Sequence, residues 1–261
     1  MENHLLPPIR NILSRKPCRN FASGLTTSNL GPPDYDKAMV QYDKYIESLK
    51  NMDLNVKVLC EDESLPDGHF VEDPLIVYKN LVFVCKSGNV GRRGEEDKLL
   101  KEFKDFQIVT IEDELAFIDG GDVLFCADRV LVGLSERTNQ KGIDALAKAL
   151  KTVQSDIKVV SVPISGKIHL KSGLTELYPN VLLRDPGLTI DTDLTWATVI
   201  TLPEEEGYAS DVMPINDTIF IVKGYPTVLK AAKKYYQKVV ALDMSEFQKM
   251  DGGLTCLSLR Y

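Results

Sequence analysis

Cys256 lies in the run Asp251-Gly252-Gly253-Leu254-Thr255-Cys256, past two glycines and just before an apolar stretch ending at Tyr261. A Gly-Gly turn lets backbone approach a ligand closely, and a thiol there, with a histidine elsewhere in the chain, is a candidate nucleophile. A lone cysteine is more often a packed core residue, and that reading is kept for Cys18, Cys60, Cys85 and Cys126. Of the three histidines, His4 is terminal and His69 sits in an acidic segment beside Phe70. His169, in Ile168-His169-Leu170-Lys171, can activate a thiol and protonate a leaving amine near neutral pH. Asp119, before Gly120-Gly121, can orient that imidazole, although Asp-Gly-Gly is also a common turn.

Asp67, Glu72 and Asp73 form the densest acidic cluster not explained by a helix face. Acid runs are usually solvated, but Phe70, Val71 and the apolar stretch after Pro74 force Glu72 or Asp73 inward. An inward carboxylate without a cation is costly. A planar, permanently charged guanidinium matches adjacent carboxylates with paired hydrogen bonds. Arg92, after Gly91, and Arg137, in Ser135-Glu136-Arg137, lie in turns between strand and helix, where arginine can hold a carboxylate bidentately. Acids for a guanidinium and arginines for a carboxylate together describe a site for an arginine-like amino acid.

Residues this far apart in sequence need a scaffold that gathers them. A short β-rich strand recurs at 55–59, 107–111, 158–162, 197–202 and 238–242, a period of about 40 to 50 residues that is typical of propeller blades and other repeat arrays. Helical periodicity precedes most copies, at 36–52, 94–103, 139–150 and 227–237. The first follows Pro32-Pro33, and 94–103 carries acids in its first turn and lysines in its last, matching the helix dipole. Strand pairs fall at 75–78 with 81–85, 123–125 with 130–132, and 212–215 with 219–222, the last joined by an Asn216-Asp217 turn. Each unit therefore reads as ββαβ. The segments leaving the five recurring strands hold Asp67, Glu72, Asp73, Asp119, His169 and Cys256, and a pseudo-fivefold arrangement brings those segments to one end of the axis.

Composition sets the outer limits. The 261 residues carry 31 Lys+Arg against 38 Asp+Glu, a net charge of −7, which argues against a general nucleic-acid binder and favours cationic ligands. The five cysteines form no CxxC pair and no zinc-finger spacing with histidine, so neither a disulfide framework nor a structural metal is expected. No apolar run approaches the roughly 20 residues that span a bilayer. No signal peptide is read in the first residues, so no membrane partner and a reducing, cytoplasmic setting are expected.

The runs Leu-Pro-Asp-Gly-His-Phe-Val-Glu-Asp (65–73), Gly-Arg-Arg-Gly-Glu (91–95), Ile-Asp-Gly-Gly-Asp-Val-Leu (118–124), Leu-Ser-Glu-Arg-Thr-Asn-Gln-Lys-Gly (134–142), Ile-His-Leu-Lys-Ser-Gly (168–173) and Met-Asp-Gly-Gly-Leu-Thr-Cys-Leu-Ser-Leu (250–259) resemble, in order, the dimethylarginine dimethylaminohydrolases of the amidinotransferase superfamily. The stretch 24–35 looks especially like bacterial members, and the resemblance covers nearly the whole chain. It implies an α/β fold, a five-bladed pseudo-symmetric α/β propeller of repeated ββαβ units, as one catalytic domain over 1–261 with a flexible extension at 1–8. It implies Cys256 as nucleophile, His169 as general acid/base and Asp119 as its orienting partner. Glu72 and Asp73 would hold the guanidinium, Arg92 and Arg137 the α-carboxylate, and Asp67 with the carbonyls of Leu25 and Met250 the α-ammonium; Phe70 would line the channel. The implied reaction converts methylated arginine to citrulline and a methylamine through a covalent thiouronium, with no metal or cofactor.

The chain departs from the family pattern at Ser210-Asp211, where Ala-Asn is usual, at Pro214 inside a strand, and at His69 in the acidic loop. These positions bear on substrate preference. Two other functions compete with the first: a sibling hydrolysis of free arginine or another guanidino compound, and non-catalytic binding of cationic amino acids. A nucleophile beside a base disfavours the binder. The glycine, serine and prolines of 24–33 suit a lid over the site. The sequence leaves the oligomeric state open, with a homodimer among the expectations.

Overall fold

The computed structural model describes residues 7–261; most of the expected extension at 1–8 lies outside them, and Pro7 and Pro8 are irregular and exposed. The chain enters on β1 (Asn11–Arg15), α1 (Tyr35–Lys50) and β2 (Asn55–Leu59), and continues with β3 (Leu75–Tyr78), β4 (Leu81–Val84), α2 (Glu96–Leu100) and β5 (Gln107–Val109). Then come β6 (Val123–Phe125), β7 (Val130–Leu134), α3 (Gln140–Lys151) and β8 (Val159–Ser165), followed by β9 (Leu174–Tyr178), β10 (Val181–Arg184), β11 (Thr189–Ile190) and β12 (Thr198–Thr201). The last unit is β13 (Met213–Ile215), β14 (Thr218–Val222), α4 (Pro226–Tyr235) and β15 (Lys238–Leu242), after which α5 (Ser245–Gln248) leads to β16 (Leu259–Arg260).

These strands form five small sheets, each with an antiparallel pair and then a parallel third strand. Strands β3, β6, β9, β13 and β16 surround one axial cavity, so the sheets stand around an axis as the repeat period requires. The recurring strands of the sequence, β2, β5, β8, β12 and β15, are the outer members and are largely half-exposed, whereas the middle strands β4, β7 and β14 are nearly or fully buried. One sheet is built from both ends of the described chain: β1 pairs antiparallel with β16 and parallel with β2.

The helices form where local signals agree. Asp34 caps α1 by accepting the Lys37 N–H at 3.0 Å, with Asp36 in the first turn and Lys50 in the last. Its inner face buries Tyr42, Tyr45, Ile46 and Leu49, each worth about 1.5–3 kcal/mol of apolar transfer. Asn139 caps α3 through the Gly142 N–H at 2.9 Å. Two expectations are corrected. The segment 94–103 is helical only at Glu96–Leu100, because positive-φ Gly94 holds the start out of the helix. The fourth unit has no helix: between β10 and β12 the chain forms β11, which pairs with β8 as an added edge strand. The β9–β10 pair and strand β1 carried too little alternation to stand out in the sequence. Among the described residues no helix is long and apolar enough to cross a membrane.

Candidate active site

The connections from each outer strand to the next inner strand carry the expected residues. The β2–β3 connection brings Asp67, Phe70, Glu72 and Asp73, β5–β6 brings Asp119, β8–β9 brings His169 and Lys171, β12–β13 brings Tyr208 and Asp211, and β15–β16 brings Met250 and Cys256. They meet in two adjoining chambers. The first is lined by Leu25, Asp67, Phe70, Asp73, Arg92, Arg137, His169, Met250 and Cys256. The second is lined by Glu72, Lys171, Tyr208, Asp211, Gly253, Thr255 and again His169 and Cys256. Asp119 stands behind the histidine, its Oδ2 3.1 Å from His169 Nε2.

Cys256 sits on a single 3-10 turn (Thr255–Leu257) whose backbone is pinned on all sides. Tyr45 of α1 donates its hydroxyl to Leu254 O at 3.0 Å, Ser14 of β1 donates to Leu257 O at 2.6 Å, and Arg260 Nη1 donates to Thr255 O at 2.7 Å. Asp211 Oδ2 accepts the Thr255 N–H at 3.2 Å, and Cys256 O accepts the Glu72 N–H at 3.3 Å. Gly253 is required here: a Cβ would lie 1.9 Å from Asp211 Oδ2. All five cysteines are free thiols; Cys60 is exposed rather than packed, whereas Cys18, Cys85 and Cys126 are buried as expected. Burial first, then the carboxylates of Asp73, Asp211 and Glu72, push the Cys256 thiol well up.

His169 is held by its neighbours' backbone: Leu170 N donates to Asp122 Oδ1 at 2.8 Å and Lys171 N to Gly121 O at 3.1 Å. Burial alone would lower its pKa, but Asp73, the hydrogen bond to Asp119, and Asp122 outweigh it and raise the imidazole to about 9. At neutral pH it is an imidazolium, a proton donor.

The acids and arginines are more mutually committed than the sequence suggested. Glu72 points inward and already has cations of the chain itself, its Oε1 accepting from Lys171 Nζ at 2.7 Å and from Arg260 Nη2. Arg92 faces the first chamber, but Glu95 takes its Nε at 2.9 Å and Nη2 at 2.7 Å, and Asp73 Oδ2 takes its Nη1. Arg137 is less engaged, 3.8 Å from Asp119 Oδ2. What the network leaves over are buried carboxylate oxygens with no hydrogen-bond donor: Glu72 Oε2, Asp73 Oδ1, Asp119 Oδ1 and Asp211 Oδ1. Unsatisfied acceptors around a cavity form a socket for N–H donors. Asp67, raised by burial, accepts the Leu25 N–H at 3.0 Å. The 24–33 segment is tied across the site, Thr26 Oγ1 donating to Lys249 O at 2.9 Å and Thr27 N to Asp251 Oδ2 at 2.5 Å.

Sequence reasoning missed Glu95, Lys171, Asp211 and Arg260 as parts of the site. Lys171 and Glu95 lie inside quoted motifs, and Asp211 is a noted departure. Arg260 carries no local signal, since its role depends on β16 closing the ring beside Glu72. His69 is buried against Phe70, ring centroids 4.0 Å apart, with both ring nitrogens unpartnered, and burial lowers it to about 3.

Five small ββαβ-type sheets around an axis, with cysteine, histidine and carboxylates converging from the equivalent connections, define the class: an α/β propeller hydrolase of the guanidino-modifying kind. A family model described as N,N dimethylarginine dimethylhydrolase, eukaryotic, matches residues 34–174. The chain is 32% identical to N(G),N(G)-dimethylarginine dimethylaminohydrolase of Pseudomonas aeruginosa over 97% of its length and 99% of the relative, and 30% identical to that of Streptomyces coelicolor over 97% of each. A solved structure of the Pseudomonas aeruginosa protein, a cysteine-to-serine mutant complexed with citrulline, superposes with a TM-score of 0.88 at 30% identity, covering 97% of this chain and all of the other. The N-terminal domain of a cyanobacterial arginine dihydrolase shares the fold, with a TM-score of 0.83 at 22% identity. The protein belongs to the dimethylarginine dimethylaminohydrolase family, and its similarity extends over nearly the whole of the bacterial members.

Proposed function

We propose that the protein hydrolyses Nω-methylated arginine to citrulline and a methylamine, with Cys256 as nucleophile, His169 as general acid/base and Asp119 orienting the imidazole. The observation that carries this reading is the set of donor-free carboxylate oxygens of Glu72 and Asp73 beside Cys256 and His169. A guanidinium entering there supplies the missing donors. Its positive charge also offsets the carboxylates that hold the thiol up, so substrate favours the thiolate. The thiolate attacks the guanidinium carbon and the C–S bond forms. The His169 imidazolium gives its proton to the departing nitrogen, the C–N bond breaks, and amine leaves a cationic thiouronium. Neutral His169 then takes a proton from water as its oxygen attacks the same carbon. Collapse breaks the C–S bond and restores the thiolate, and the hydroxyl proton passes to solvent as citrulline is released. In this reading Arg137 meets the substrate carboxylate, with Arg92 fixing Asp73, while Asp67 and the carbonyls of Leu25 and Met250 receive the ammonium and Phe70 walls the channel. A cytoplasmic setting keeps the thiol reduced.

The test is citrulline release from arginine, monomethylarginine and asymmetric dimethylarginine. Turnover is expected with a methylated arginine, and Cys256→Ser lowers it by about 10⁴-fold or more while ligand binding persists. Tight binding of one of these compounds with no citrulline from any would leave a binding protein instead.

A further inference from the structure

Asp211 belongs to the second chamber, which shares His169 and Cys256 with the first. The first chamber holds the groups suited to a charged amino-acid head, and the hydrolase reading above therefore puts the reacting carbon where the two meet. Substituents on the far side of that carbon project into the second chamber. There Asp211 is 4% exposed; its Oδ2 accepts the Thr255 N–H at 3.2 Å, and its Oδ1 is buried with no donor. Thr255 serves this carboxylate through its hydroxyl as well as its N–H, and the other donors around it are spent elsewhere. Tyr208 donates its hydroxyl to Gly252 O at 2.8 Å, and Lys171 and Arg260 both go to Glu72. Burial first, then repulsion from Glu72, raises Asp211 to about 6, the signature of a carboxylate lacking a cation.

We propose that Asp211 is a specificity-determining residue whose Oδ1 accepts an N–H from the terminal nitrogen of the reacting guanidinium, selecting unmethylated or monomethylated over dimethylated substrates. An NH₂ or NHCH₃ terminus brings a proton to that oxygen, whereas N(CH₃)₂ brings none and leaves a buried carboxylate oxygen against methyl groups. A site built around such an acceptor rejects the analogue that lacks the donor far more strongly than an apolar pocket rejects a methyl group. The inference rests on the hydrolase reading above and sets the order of preference among arginine and its methylated forms.

The test compares kcat/KM for arginine, monomethylarginine and asymmetric dimethylarginine in the parent protein and in Asp211→Asn. The parent is expected to favour the best N–H-bearing substrate over the dimethylated one by about tenfold or more, and Asp211→Asn to shrink that ratio by about fivefold or more. Because substrates are compared on the same protein, a general loss of folded enzyme cancels. Where Asp211→Asn does not turn over, the same ratio is read from dissociation constants in Cys256→Ser with and without Asp211→Asn. A ratio that the substitution leaves unchanged overturns the role of Asp211 while leaving the hydrolase intact. A parent enzyme that prefers the dimethylated substrate overturns it as well. Absence of citrulline from all three compounds sinks the hydrolase reading itself.

Discussion

His169 shows how a residue's role follows from its surroundings more than from its type. In water an imidazole is half-protonated near pH 6.5; between Asp73, Asp119 and Asp122 it is raised to about 9. A group bound more tightly to its proton in the folded state stabilises that state below its unfolded pKa, and the stabilisation is lost as pH rises through the folded value. The His169 contribution is therefore complete below about 6.5 and disappears between about 6.5 and 9. Melting temperatures of the parent should fall across that window relative to those of His169→Gln, in the absence of substrate. A difference that stays constant, or grows with pH, would remove the charged imidazole. Cysteine, histidine and the acids were legible in the sequence because each sits at a polar or glycine-rich break after an apolar strand. The pairing among them was not. Nothing in the one-dimensional order says that Glu72 meets Lys171 and Arg260, or that Arg92 is already held by Glu95 and Asp73.

At the scale of the element, the turn bearing Cys256 is positioned by five different parts of the chain, from Ser14 in β1 to Asp211 before β13. Gly253 permits this because the Asp211 carboxylate occupies the space where its Cβ would stand, 1.9 Å away. The turn must move if any side chain is added. Gly253→Ala is expected to lower kcat by about 100-fold through misplacement of the thiol, with circular dichroism and melting cooperativity retained. Full activity in that variant would show that the turn tolerates displacement. The elements with strong local signals, α1 with its Asp34 cap, α3 with Asn139, and the β3–β4 pair, form close to where the sequence puts them. The fourth unit shows the limit: a repeat pattern predicts a helix there, yet the 185–197 connection takes the short strand β11, since a free edge on β8 offers it hydrogen bonds.

For the whole molecule, the decisive contact is closure of the ring, in which β16 pairs with β1 and delivers Arg260 to Glu72 between the axial cavity and the second chamber. Arg260 also donates to Thr255 O and Ser258 O at 2.7 Å each. Arg260→Met leaves Glu72 with Lys171 alone and two backbone carbonyls unpaired, and should cost about 3–5 kcal/mol in denaturant unfolding, with loss of turnover. A cost below about 1 kcal/mol would make the ring's closing ion pair dispensable. The sequence by itself determined the repeat number, the outer strands, most helices, the family and the list of candidate residues. Those follow from periodicity and from short motifs, which are local properties of the chain. Only the tertiary structure decided which candidates are neutralised by one another and which carboxylate oxygens remain without donors. Those outcomes depend on distances between segments up to 188 residues apart, as for Glu72 and Arg260, and such distances exist only once five sheets have closed around a common axis.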